Sequence, residues 1–210
     1  MIISKIFSKL NRALKNYFYL VNKNKKFKKY SNKLKKNDFT IISSNCIAGT
    51  IYHDLNLKFL SPTINLYIEA YDFIKFCNNL KEYLSYDLIE LQSFLNYPVG
   101  MLNDIKIHFM HYKKFSEAKI KWNERSKRIN FNNIRVIMVD RDFFSPTMIE
   151  NFLKIPYKKV IFSSQKLEIK ENFQIESKYF KNHVGILTDF VDFKGNRAYE
   201  SNFNITDFLN

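Results

Sequence analysis

Glycine, proline and cysteine are all scarce in this chain, and no acidic residue precedes Asp38. Four glycines in 210 residues make up no Gly-rich phosphate loop and no dinucleotide fingerprint, and there is no serine nucleophile elbow. Nucleotide-dependent kinases and typical dehydrogenases are thereby excluded. The two cysteines, Cys46 and Cys77, have no metal-ligand spacing and form no disulfide framework. A reducing, cytoplasmic setting fits that usage. No apolar run reaches the roughly 18 residues of a membrane span. The N-terminus also lacks the small-residue cleavage site of a signal peptide, and its charges follow the apolar positions instead of preceding them.

What is present is basic charge, unevenly placed. The net charge is +14, yet twelve of the 34 Lys and Arg residues lie before Asp38, leaving 22 basic against 20 acidic residues in the rest. The body is therefore nearly neutral, and the basicity belongs to an N-terminal arm. Within it Ile3, Phe7, Leu10, Leu14, Phe18 and Val21 recur at spacings of three and four, the pattern of an amphipathic basic helix, and lysine-rich Lys23–Lys36 follows. Residues 1–36 are read as this arm and 37–210 as one α/β domain. Such an arm suits an anionic membrane surface, where each basic residue contributes about 1 kcal/mol, and places the protein peripherally on the inner face of the cell membrane. The alternative is that the helix docks its apolar stripe on the body. A nucleic-acid partner is disfavoured because no base-reading motif accompanies the charge.

Beyond the arm the pattern alternates. Phe39–Ser43, Thr63–Ile68, Asp87–Leu91, Asp104–Tyr112, Ile134–Val139 and Lys159–Phe162 read as strands. Tyr71–Leu84, Ser116–Arg128 and a short segment after Pro146 read as helices. Val184–Phe190 and Asn204–Leu209 read as an edge strand and a terminal helix. The alternation from Asp104 to Phe162 predicts an α/β fold with a mixed, partly parallel sheet flanked by helices.

The segment Thr40–Ile68 puts turn residues and Cys46 between a strand and a helix. A helix N-terminus favours negative charge, so a thiol there ionises more easily and can act as a nucleophile; the alternative is a small buried hydrophobe. A nucleophile needs a base and a group to orient it. His111, at the end of the Asp104–Tyr112 strand, is the favoured base over His108. Asp140 and Asp142 follow a strand end and could steady the base, but they lack the third carboxylate of a metal site. Asn45, His53, Ser61, Thr63 and His108 are candidate substrate contacts. Arg125 and Arg128 could grip an anionic group bidentately, although solvation and pairing with Glu124 also explain them. Trp122 reads as core.

The segments SSNCIAGTIYHDLNLKFLSPTINLYI, YPVGMLNDIKIHFMHYKKFSEAKIKWNERSKRIN, NIRVIMVDRD and HVGILTDF resemble a bacterial family known as domain of unknown function nineteen-nineteen, over roughly residues 37–210. Its members are often described as exopolysaccharide or capsule biosynthesis proteins. The resemblance implies a mixed α/β fold and a glycan or activated-sugar substrate, with no cofactor specified. The motif around Cys46 is also distantly similar to papain-like cysteine hydrolases. Phe143 and Phe144 stand where the family commonly has a small or cysteine-containing turn. The combined expectation is group transfer, for instance acyl transfer, in surface-polysaccharide assembly with Cys46 as nucleophile. The rivals are a glycosyl- or sugar-phosphate transferase with a structural Cys46, and a non-catalytic membrane adaptor.

Overall fold

A computed structural model describes residues 2–175, 182–190, 192, 194–200 and 203–210. In chain order the elements are α1 (Ile2–Ser31), β1 (Thr40–Ser43), α2 (Ile47–Asp54), α3 (Ala70–Asn78), α4 (Leu80–Tyr83), β2 (Leu88–Leu91), β3 (Val99–Leu102), β4 (Ile105–His108) and α5 (Phe115–Ser126). They continue with β5 (Ile134–Val139), a 3-10 turn at Pro146–Met148 leading into α6 (Ile149–Leu153), β6 (Lys158–Ser163), β7 (Asn172–Gln174) and α7 (Ile205–Leu209).

Two sheets form. Strands β1, β5, β6 and β7 lie side by side in that order, all parallel, with Thr40 opposite Ile134 and Val139 opposite Phe162. Their runs are almost continuously apolar because both faces are covered. Ile42, Val136, Met138 and Ile161 point into one core with Phe73, Phe76, Phe109 and Trp122. Ile41, Ile137, Val139, Val160 and Phe162 point into the other with α2 and α7. The second sheet is the antiparallel meander β2–β3–β4. Gly100 is required at its centre, since a Cβ there would come within 2.8 Å of Leu88 Cδ1 and 3.0 Å of Phe109.

The mixed α/β fold with a partly parallel sheet and flanking helices is as the sequence predicts, and several details differ. The Asp104–Tyr112 run gives only β4, which joins the antiparallel sheet and does not neighbour β5. Thr63–Ile68 is irregular, with Asn65 left-handed at φ 63° and one isolated bridge from Tyr67 to His108. Tyr71–Leu84 breaks at Asn79, whose φ of −124° ends α3. Val184–Phe190 is a loop, while α7 matches the predicted terminal helix.

Helix α1 runs unbroken through the first lysines of the Lys23–Lys36 stretch, to Ser31. It meets the body with a polar face. The Tyr19 hydroxyl donates to Asp54 Oδ1 (2.6 Å), and Arg197 donates to both oxygens of the same carboxylate (2.5 and 2.9 Å). Lys26 pairs with Glu200 (2.5 Å), which also accepts from the Tyr30 hydroxyl. Gly195, at φ 77°, is required there, since a Cβ on it would come within 3.0 Å of the Tyr19 Cα. Burial alone would raise the Asp54 carboxyl, but the hydrogen bonds and charge of Arg197 outweigh it and hold the group below its usual range. The apolar stripe points the other way, with Leu10, Leu14, Phe18 and Val21 between 39% and 61% exposed. Side chains before Lys9, including Ile3 and Phe7, and that of Arg12 lie outside the described set.

Strand β1 is an edge strand buried on both faces, so its outward amides need partners. The Tyr52 hydroxyl accepts from Ile41 N (3.0 Å) and donates to Phe39 O (2.9 Å), and Thr63 Oγ1 accepts from Ser43 N (3.0 Å). Tyr52→Phe orphans a buried donor and a buried acceptor together and should lower stability by about 3 kcal/mol in urea unfolding; a change below about 1 kcal/mol would show that water satisfies that edge.

Candidate functional site

The carboxyl ends of β1 and β5 lie side by side, where open parallel sheets present their crevices. At the end of β1, Ser43 Oγ donates to the Asn45 carbonyl (2.5 Å) and accepts from Ala48 N (3.3 Å), while Asn45 Oδ1 accepts from Ile47 N (3.2 Å). These bonds satisfy amides of the first turn of α2. Cys46 takes the N-cap position with no cap bond from its side chain. Its Sγ lies 3.7 Å from the Leu66 carbonyl and 3.9 Å from Met110 Sδ.

Two effects compete at this thiol. The helix N-terminus favours a thiolate by about 0.3–1 kcal/mol. Burial pushes the thiol up to about 11, opposed by the Arg141 charge and reinforced by Asp142. Relative to the starting value of 9.0, that is roughly 3 kcal/mol against ionisation. Burial wins, so the thiol is protonated at neutral pH, contrary to the expectation of easier ionisation.

His108 occupies the other side of the Leu66–Tyr67 segment. Its backbone exchanges two 2.9 Å bonds with Tyr67, and its ring stacks on the Tyr67 ring at 4.3 Å and 9°. Tyr97 stands edge-on to it at 6.1 Å and its hydroxyl meets that of Tyr67 at 3.3 Å. Burial lowers the imidazole pKa, and the nearby Glu69 and Asp142 charges oppose the shift. Glu69 Oε1 is 3.8 Å from Nε2. Among the described residues, four buried side-chain polar atoms have no hydrogen-bond partner: Ser44 Oγ, both ring nitrogens of His108, and Asp142 Oδ2. They belong to residues that end β4 or follow β1 and β5.

Asp142 is held by its neighbours. Its Oδ1 accepts from Arg141 Nε (3.0 Å), its carbonyl accepts from Ala70 N (2.9 Å), and Arg141 also donates to the Gly185 carbonyl (3.3 Å). Asp142 and Phe143 are both left-handed, at φ 63° and 66°. A bulky residue in that region is strained by about 1–2 kcal/mol, and Phe143 is 79% exposed, so packing does not repay it. Glycine at position 143 would relieve this turn, and Phe143 keeps it strained.

Other predicted positions have different surroundings. His111 is exposed in the turn after β4, whereas His108 is buried. Asp140 accepts from Ser164 N (2.6 Å), Ser164 Oγ (2.7 Å) and Val184 N (2.8 Å), which ties β6 and the 184 loop to β5. Ser61 and Thr63 bond each other at 3.0 Å and close the edge of β1. Arg125 is buried, donating to the Tyr112 hydroxyl (2.8 Å) beneath Phe59. Arg128 meets Glu124 on the surface at 3.7 Å, and His53 is exposed beside Asp54. Trp122 is core, packed on Phe76 and Phe109. Among the described residues no group of three or more His, Cys, Asp or Glu is placed to hold a metal ion.

Residues 17–210 match the family described as Domain of unknown function (DUF1919). The chain belongs to the DUF1919 family. It is also 36% identical over 185 residues to an "Uncharacterized protein" of Haemophilus influenzae, covering 86% of this chain and 90% of that one. The DUF1919 match starts inside α1, so it takes in the docking residues Tyr19, Lys26 and Tyr30 together with the whole crevice. Sequence reasoning missed Tyr67, Glu69, Tyr97, Met110 and Arg141 as neighbours of Cys46, His108 and Asp142. Tyr67 sits in a stretch that reads as an ordinary strand, Glu69 just after it, and no local spacing marks either.

Two measurements test the electrostatics. Unfolded histidine takes up a proton near 6.5 and folded His108 only at lower pH, so protons bind the unfolded chain more readily below about 6.5. Stability from this group is complete above that pH and declines as pH falls towards the folded value. His108→Phe should therefore lose less stability than wild type between pH 7 and pH 5; parallel curves would place the imidazole in water. Cys46 should alkylate slowly with iodoacetamide at pH 7.5 and gain rate steadily up to pH 10, with Cys77, fully buried, unmodified. A rate plateau below pH 8 would mean an activated thiolate.

Proposed function

We propose that the chain is a transferase of surface-polysaccharide assembly that moves a sugar or sugar-phosphate unit from an activated donor to a glycan acceptor in this crevice. The observation that carries the reading is that Ser44, just after β1, His108, at the end of β4, and Asp142, in the turn after β5, each keep buried polar atoms without a hydrogen-bond partner. Leaving such atoms unpaired costs about 1–3 kcal/mol each, a cost that a hydroxyl-rich ligand removes by hydrogen bonding.

His108 serves as general base. Burial keeps its imidazole neutral and able to accept a proton, and Glu69 and Asp142 offset the imidazolium that forms. As the acceptor oxygen bonds to the transferred unit, its proton passes to His108, and the donor's leaving group departs with the bonding electron pair. Arg141, fixed by Asp142 and the Gly185 carbonyl, neutralises that anionic leaving group. Tyr67 and Tyr97 offer aromatic faces for sugar rings. Cys46 lines the crevice as a neutral thiol. A cysteine nucleophile lacks support here because burial opposes its ionisation and neither ring nitrogen of His108 hydrogen bonds to it.

The test is the mass-spectrometric composition of surface glycan from isogenic cells at matched expression. His108→Gln and Asp142→Asn should each remove a glycan component or cut it at least tenfold, whereas Cys46→Ala should leave it unchanged. Loss with Cys46→Ala would restore the thiol as nucleophile, and unchanged glycan in all three would remove the crevice from this chemistry.

A further inference from the structure

Helix α1 uses one face to hold the body and leaves the other uncovered. Asn11, Lys15, Tyr19, Asn22, Lys26 and Tyr30, spaced by three and four, lie along the body side, where Lys15 also donates to the Phe190 carbonyl at 3.3 Å. Leu10, Leu14, Tyr17 and Val21 follow the same spacing on the opposite side and are 56%, 43%, 61% and 61% exposed, with Phe18 and Leu20 flanking them. The same outward line then continues through Lys25 and Lys28, both exposed. A hydrophobic stripe of this kind would normally be turned inward.

We infer that this outward face of α1 lies in the plane of an anionic lipid bilayer, with Leu10, Leu14, Tyr17 and Val21 inserted among the acyl chains and the lysines on phosphate headgroups. Charge decides the occupant. Residues 1–37 contain no acid, so a second copy laid antiparallel on this stripe would bring two basic helices together with nothing to neutralise them. A nucleic acid would meet the lysines and leave the apolar stripe in water. An anionic bilayer satisfies both. No described helix is long and apolar enough to cross a membrane, so α1, about 45 Å long at 1.5 Å per residue, lies along the surface.

The test uses the full-length chain, because Tyr19, Lys26 and Tyr30 are part of the body's packing. Co-sedimentation with vesicles of phosphatidylcholine and phosphatidylglycerol, compared with phosphatidylcholine alone, should show binding only to the anionic vesicles, weakened by 0.5 M salt. Leu14→Glu with Val21→Glu should reduce that binding at least tenfold, and Lys25→Glu with Lys28→Glu should do the same, both with unchanged urea midpoints. Equal binding to neutral vesicles, absence of binding, or binding indifferent to Leu14→Glu/Val21→Glu would overturn the inference. So would a sedimentation-velocity dimer that Leu14→Glu/Val21→Glu dissolves, since the face would then belong to a second copy.

Discussion

The outer edge of β1 is the constraint on which the rest of this structure depends. β1 is four residues long, buried on both faces, and paired on one side only, so half of its backbone groups face away from the sheet. The strand is buried, and among the described residues no fifth strand is added. Side-chain hydroxyls serve instead: Tyr52 from α2 bridges Ile41 and Phe39, and Thr63 receives Ser43. All three bonds act at a distance in sequence. They fix α2 and the 61–63 turn against the strand, and so set where Ser44, Cys46 and Leu66 meet. Ser61 and Thr63 thus contribute to the crevice by building its wall.

A second consequence follows at the far end of α2. Asp54, the last residue of that helix, carries the carboxylate that receives Tyr19 and Arg197. A buried carboxylate with a bidentate arginine loses far more by having one partner removed than the pair contributes over apolar packing. That makes it a device for fixing position. It joins α1, α2 and the 195–200 segment at one point, and it explains why α1 docks through tyrosines and lysines and leaves its leucines outside. This docking leaves Leu10, Leu14 and Val21 exposed, so that part of the stripe is available for another role.

The sequence made the elements legible more readily than their neighbours. Runs such as IRVIMV and KKVIFS declare buried parallel strands because both faces must be apolar. The 3.6-residue period of α1 declares a helix, yet the period alone does not say which side meets the body, and the polar side does. β4 alternates correctly at Ile105, Lys106 and Ile107, then His108 breaks the alternation by being buried. The reason lies about forty residues earlier, where Tyr67 bridges to His108 and covers its ring. His111 therefore looked the better base in sequence, while the bridge brings His108 to the crevice. Arg125 read as an anion grip or a partner of Glu124 for a similar reason: Phe59, whose ring it lies against, is remote in the chain.

Local rules fail together at one place. Unpaired polar atoms, a left-handed Asp142–Phe143 pair and a thiol at a helix N-cap all occur where β1 and β5 end. Elsewhere the same chain is careful: Asp140, two residues before Asp142, has three donors, and the amides of the β1 edge are satisfied one by one. Among the described residues, a sequence that pairs its buried groups so fully leaves these open where β1, β4 and β5 end. Proteins generally keep such conflicts at functional sites. The order of magnitude supports that view. Several orphaned atoms at about 1–3 kcal/mol each, with backbone strain added, are a large part of the 5–15 kcal/mol by which a domain is stable. A ligand that hydrogen bonds to Ser44, His108 and Asp142 would recover most of that energy, so binding there should rigidify the ends of β1, β4 and β5 together.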